Sequence, residues 1–141
     1  MKDLGKIKQK LKEVLEKEED ILFVYLYGSV ALGMGHQWSD LDIAVYLRPG
    51  NNEYYLKRDG ELLGTLSVAL ENEELDLCLL NVAPLVLQFR VITEGIIIFS
   101  RDEQARVDFE TVIRCKYFDL KPTINLQKLL FQEKLKTWAL G

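Results

Sequence analysis

Two aspartates, Asp40 and Asp42, stand one residue apart at the head of the apolar run "DLDIAVYL". A strand meant for the interior gains nothing by carrying them. Side chains alternate along a strand, so both project from one face, about 7 Å apart along the chain. Carboxylates that close repel each other unless a cation lies between them. Hard oxygen donors suit Mg²⁺ or Mn²⁺, which take one or two protein carboxylates and complete their shell with substrate phosphates. Two such ions are able to activate an attacking hydroxyl and stabilise the leaving oxygen of an in-line phosphoryl displacement.

The complementary half of such a site lies upstream, where the apolar run "ILFVYLY" stops at Gly28 and Ser29. A glycine directly after a strand lets the backbone approach a ligand, and a serine opening a helix offers a hydroxyl and N–H groups to an anion. That is a place for a triphosphate. Val30, Ala31 and Leu32 are expected to begin the helix, with Gly33 and Gly35 breaking it. A third carboxylate is expected on a neighbouring strand: in "EELDLCLLN", Glu74, Asp76 and Cys78 alternate onto one face. Asp76 is the better candidate, because apolar residues flank it and an aspartate there is costly unless paired or metal-bound; Glu74 is the substitute. The bland account is a capping serine at a turn and two solvated aspartates at a strand end, and it leaves Asp76 unexplained. His36 and Trp38 occupy the loop between the motif halves. A solvated histidine and a hydrophobic anchor are the ordinary readings there, contact with a nucleotide or partner the alternative.

The elements that must hold these residues are readable from periodicity. Leu4, Ile7, Leu11, Val14 and Leu15 recur at helical spacing. The run from Ile21 and "DLDIAVYL" read as strands, the latter ended by Pro49-Gly50. "NNEYYLKRDG" reads as an exposed polar excursion, and the helix is expected only in "ELLGTLSVALENEE" after it. "LDLCLLN" is a third strand. Pro84 opens a helix running to about Glu94, and "GIIIFS" is a fourth strand, suited to a sheet edge. From Asp102 the pattern turns helical, with a break expected at Lys121-Pro122 and a separate final helix over about 123–139. The expectation is an α/β (α+β) chain, residues 1–141 as one domain: a small mixed sheet of about four strands flanked by helices, core about 21–120, with a helical tail.

Composition narrows the function classes. The chain has 141 residues, 48% hydrophobic and 28% charged, which is ordinary globular usage. No stretch approaches the roughly 20 apolar residues of a membrane span, and the first residues lack the apolar core of a signal peptide. A cytoplasmic, soluble protein is expected. Cys78, Cys115 and the single histidine do not form a zinc pattern. A net charge of −4 argues against a nucleic acid backbone as main partner.

The string "GSVALGMGHQWSDLD" has Gly-Ser, ten residues, then Asp-x-Asp. It resembles the signature of the nucleotidyltransferase superfamily related to DNA polymerase beta. With the later "LDLCLLNVAPLVLQFRVITEGIIIFS", the chain looks like the minimal nucleotidyltransferase (MNT) branch from about Phe23 to Leu120. The resemblance implies that Gly28 and Ser29 hold the phosphates of ATP and that Asp40 and Asp42 bind two Mg²⁺ ions. It implies Asp76 as the third metal-binding carboxylate, helping to deprotonate the attacking hydroxyl. In the branch paired with HEPN proteins, small helical RNases acting as toxins, the MNT protein is the antitoxin and transfers AMP from ATP to a toxin tyrosine, releasing pyrophosphate. The pattern departs at Leu32, where many relatives carry arginine; phosphate binding is then weaker or falls to another basic residue. Two rivals stand beside this implication. One is a non-catalytic antitoxin that neutralises its toxin by binding, the other a small-molecule nucleotidyltransferase of the aminoglycoside type.

Overall fold

The computed structural model describes residues 3–35, 40–71 and 73–140, without the side chains at 124 and 137–140. Helix α1 (Leu4–Leu15) buries Ile7, Leu11 and Leu15 along one stripe, and Asp3 caps it by accepting from the Lys6 amide at 3.2 Å. Strand β1 (Ile21–Tyr27) follows, buried along its whole length. After it come the one-turn helix α2 (Gly28–Ala31), strand β2 (Leu41–Leu47), helix α3 (Asn52–Ala69) and strand β3 (Leu75–Leu79). Helix α4 (Leu85–Glu94), strand β4 (Ile96–Ser100) and helix α5 (Glu103–Leu140) complete the order.

The four strands form one mixed sheet in the order β3-β2-β1-β4. β1 pairs antiparallel with β2 and β4, while β2 and β3 run parallel. Alternation along the central strands divides the core in two. Val24, Leu26, Ile43 and Val45 belong to the cluster that takes in Ile7, Leu11 and Leu15 of α1 and Leu62 and Leu66 of α3. Phe23, Tyr25, Tyr27, Ala44 and Cys78 belong to the other, with Val91 and Ile92 of α4 and Ile113 of α5. As expected, β4 is an edge strand. Arg101, just past β4, donates to the carbonyls of Glu16, Glu18 and Ile21, tying that edge to the turn between α1 and β1.

Two sequence expectations are corrected. Residues 51–60 are helical, not an excursion: α3 begins at Asn52, and the Asn51 side chain caps it by accepting from the Tyr54 amide at 2.8 Å. Its fully buried stripe is thin, Leu62 and Leu66 with Tyr54 and Tyr55 packed beside them, and polar contacts at its first turns add to it. Arg58 pairs with Asp20 at 2.8 Å and Glu18 at 3.0 Å, and the Tyr54 hydroxyl donates to Asp20. The second correction is α5, which continues through Pro122 as one helix of 38 residues. Proline removes one backbone bond at a cost of about 3 kcal/mol, but the ring is exposed and the helix runs on through Leu126, Gln127, Lys128, Leu129 and Leu130, which are good helix formers. Among the described residues no helix is long and apolar enough to cross a membrane.

Candidate active site

Parallel pairing of β2 with β3 sets Asp42 directly opposite Asp76. Neighbouring strands lie about 4.8 Å apart, so the two carboxylates rise side by side. They stand on the sheet face that continues into Ala44 and Cys78, the face packed by α4. The Leu41 amide donates to the Glu74 carbonyl at 2.8 Å, which locks the heads of the two strands together. Asp40 lies just before β2, exposed, and its charge acts on Asp42.

Gly28 joins the two halves of the motif. It adopts φ 77°, where L side chains are disfavoured, and a Cβ there would sit 2.1 Å from Asp42 Oδ2 and 3.0 Å from Asp42 Cγ. Only glycine lets the end of β1 close against the Asp42 carboxylate. The turn that follows is tight: the Leu32 amide donates to Gly28 O at 3.2 Å and the Met34 amide to Ser29 O at 2.9 Å. Gly33, at φ 74°, ends α2, and a Cβ on Gly35 would meet Val30 Cγ2 at 2.8 Å, so the loop folds back on Val30. Since α2 is a single turn, it carries little of the macrodipole expected of a longer helix. An anion here would be met by the local N–H groups and the Ser29 hydroxyl.

The electrostatics are those of a crowded acidic patch. Burial, then the charges of Asp76 and Asp40, hold the Asp42 carboxyl above the ordinary carboxylate range, and Arg90 of α4 opposes them. Tyr27, opposite Asp42 across the β1–β2 pair, has its phenol pushed up by burial and then by Cys78, Asp42 and Asp76, again with Arg90 in opposition. Burial, then Asp76 and Asp59, push the Cys78 thiol up to about 11, so at neutral pH it is wall rather than nucleophile.

Among the described residues no three His, Cys, Asp or Glu side chains are grouped to hold a metal on their own. The donor set still fits Mg²⁺, an ion that uses one or two carboxylates and leaves the remaining positions to water and phosphate. The paired Asp42 and Asp76, crowded enough to raise Asp42, are that kind of set.

Gly28, Asp42 and Asp76 therefore converge, with Ser29 next in the chain and Asp40 at the rim. Glu74 is exposed at the head of β3, and Leu32 is exposed and uncharged at the end of α2. His36 and Trp38 lie outside the described residues. Tyr27 and Arg90 were missed from sequence. Alternation from Phe23 could have placed Tyr27 on the face of the site, but nothing local distinguishes Arg90 from any other helix surface cation. An open groove of about 440 Å³ along Asn52, Tyr55, Leu56, Asp59, Leu79 and Val82 lies at the other end of β3 and has one carboxylate.

Comparison with known structures agrees with this architecture. A toxin–antitoxin crystallised with AMP-PNP contains a chain that matches at 26% identity and TM-score 0.70, covering 87% of this chain and 98% of that one. The toxin–antitoxin MntA-HepT matches at 23% identity and TM-score 0.65, covering 89% and 98%. The complex of tri-AMPylated Shewanella oneidensis HEPN toxin with MNT antitoxin matches at 23% identity and TM-score 0.66, also covering 89% and 98%. At that identity the last two speak for the fold alone. A search of curated proteins by sequence gives no match. The sequence profile of the family "Polymerase beta, Nucleotidyltransferase" matches residues 9–104, a span from within α1 to the first turn of α5 that contains every residue of the acidic cleft. The chain accordingly belongs to the polymerase beta nucleotidyltransferase family.

Proposed function

We propose that this protein transfers AMP from ATP to a tyrosine hydroxyl of a HEPN-class RNase toxin and is the antitoxin of that pair. The observation that carries the reading is the convergence of Asp42 and Asp76 with Gly28, a glycine that any side chain would drive into Asp42. Support for the nucleotide comes from the similar toxin–antitoxin that was crystallised with AMP-PNP, and support for the acceptor from the fold neighbour whose HEPN toxin is AMPylated.

In this reading Gly28 and Ser29 present the backbone and a hydroxyl to the phosphates. Asp40, Asp42 and Asp76 would hold Mg²⁺, which supplies neutralisation of phosphate charge and activation of the acceptor oxygen. Asp76 takes the phenolic proton, the tyrosine oxygen bonds to the α-phosphorus, and the bond from that phosphorus to the β-phosphate oxygen breaks to release pyrophosphate. The crowded carboxylates favour a cationic occupant over an empty, fully ionised cleft.

The stretch of α5 from Phe118 onward bears on the partner. Phe118, Leu126, Leu129, Leu130, Phe131 and Leu135 are all roughly half exposed or more, an apolar surface of the kind that helical partners cover. This observation favours a second reading, neutralisation by binding alone. Intact mass of a co-encoded small helical protein, before and after incubation with this chain, ATP and Mg²⁺, separates the two. A gain of whole AMP units that Asp42→Asn abolishes is the expected result. A stable complex without any mass change would overturn the transferase reading in favour of binding alone.

A further inference from the structure

We propose that Arg90 grips the β- and γ-phosphates of the nucleotide, an assignment that rests on the nucleotide-transfer reading above. A triphosphate brought beside Asp40, Asp42 and Asp76 adds negative charge to an acidic patch; Mg²⁺ would offset the part nearest the carboxylates, and the outer phosphates call for a cation from the protein. The turn that receives the phosphates has none: Gly28, Ser29, Val30, Ala31 and Leu32 are all uncharged. Helix α4 packs against both α2 and β1, which brings its surface to that turn. The helix buries Val91 and Ile92 and leaves Arg90 exposed on the adjoining face.

Three observations make Arg90 the group in position. It is the positive charge felt at both Asp42 and Tyr27, residues on different strands of the cleft. Its side chain is 53% exposed, within reach of a ligand. Its pairing with Glu94 runs through Nε alone at 3.1 Å, and among the described residues the terminal nitrogens make no hydrogen bond. Those two nitrogens form a planar fork that matches phosphate oxygens. The mundane function of such a residue is an i,i+4 pair decorating a helix, and it predicts something different.

The test is calorimetric titration with α,β-methylene-ATP, and separately with AMP, in Mg²⁺ buffer, on the wild-type chain and on Arg90→Gln, Arg90→Lys and Glu94→Gln. Arg90→Gln should weaken the triphosphate analogue about tenfold or more and leave AMP unchanged, since charge-assisted bonds to the outer phosphates are what it loses. Arg90→Lys should lose less, keeping the charge without the fork. Glu94→Gln should bind the analogue as tightly as wild type or more so, because it frees the guanidinium. The proposal is overturned if Arg90→Gln stays within twofold of wild type, if AMP weakens equally, or if Glu94→Gln reproduces the loss, which would mark a helix-stabilising pair. If the wild-type chain binds neither nucleotide, the transfer reading itself falls and takes this one with it. Wild-type binding and transfer that Arg90→Gln fully retains would remove Arg90 alone.

Discussion

Gly28→Ala probes the close approach on which the site depends, and Gly33→Ala is its internal control. Both glycines have left-handed backbone, φ 77° and φ 74°, but the space around them differs completely. At Gly33 a Cβ meets nothing within 4 Å, whereas at Gly28 it lies 2.1 Å from Asp42 Oδ2 and 3.0 Å from Cγ. An alanine in that backbone region costs about 1–2 kcal/mol at either position. At Gly28 the forced contact adds a further cost of about 1–3 kcal/mol, and because Cγ is as close as 3.0 Å, the whole Asp42 carboxylate must rotate away. A chain of 141 residues loses about 3 °C of melting temperature per kcal/mol. Gly33→Ala should therefore lower Tm by about 3–6 °C and Gly28→Ala by roughly 6–15 °C.

A double-mutant cycle isolates the contact. In an Asp42→Ala background the contacts with Oδ2 and Cγ are gone and only the Cβ at 3.3 Å remains, so Gly28→Ala should cost little beyond the backbone share, giving a coupling of about 1–3 kcal/mol in urea unfolding. Transfer activity of Gly28→Ala should be lost even at temperatures where the variant is fully folded, because Asp42 no longer stands beside Asp76. Equal losses at Gly28 and Gly33, or effects at Gly28 and Asp42 that add within about 0.5 kcal/mol, would refute the reasoning.

Three further expectations concern charge and backbone. Asp42 is held above its ordinary value of 3.8, so the folded state binds its proton more tightly than the unfolded chain and loses stability as pH rises through that interval. In Mg²⁺-free buffer at pH 7, Asp42→Asn should thus be more stable than wild type, by about 0.2–1 kcal/mol for relief of facing like charges, with the advantage vanishing below pH 3.8. Asp20 shows the opposite sign: burial pushes it up, but hydrogen bonds from Arg58 and Tyr54 bring its carboxyl below the ordinary value. Arg58→Met should cost about 1–3 kcal/mol at pH 7, and the gap to wild type should narrow on acidification as pH falls from 3.8 through the lowered value. Pro122→Ala restores the amide that α5 lacks, and hydrogen exchange over residues 123–136 should slow by up to about a hundredfold, the equivalent of roughly 3 kcal/mol; unchanged exchange would mean that the helix does not pivot on that residue.

The strands were legible because β1, β2 and β4 are short runs rich in β-branched and aromatic residues, β3 is a short leucine-rich run, and the alternation within them put Asp42 and Asp76 on matching faces. What misled was chemistry that acts at a distance. Residues 51–60 look like a loop because their helix is fixed by Arg58 reaching back to Glu18 and Asp20, some 40 residues earlier, and no local window contains that pairing. Proline at 122 signals a stop, yet α5 continues through it with the ring exposed and good helix formers resuming at Leu126. Arg90 was invisible for a third reason: its proximity to Asp42 depends on how α4 crosses the sheet, which periodicity does not encode.

The misread segment is also what the acidic pair requires. Had β2 and β3 been joined by a tight hairpin, they would run antiparallel, and the head of β3 would lie at the opposite end from the head of β2. Asp76, second residue of its strand, would then stand a strand length from Asp42, second residue of its own. Only a parallel pair brings two strand heads together, and a parallel pair needs a crossover of a dozen residues or more, usually helical. Helix α3 is that crossover, lying over the opposite sheet face through Leu62 and Leu66, so that the face bearing Asp42 and Asp76 stays open at its end to α2 and α4. Arg58 fastens α3 to the turn before β1 through Asp20, and so anchors the crossover that joins the strand of Asp42 to the strand of Asp76.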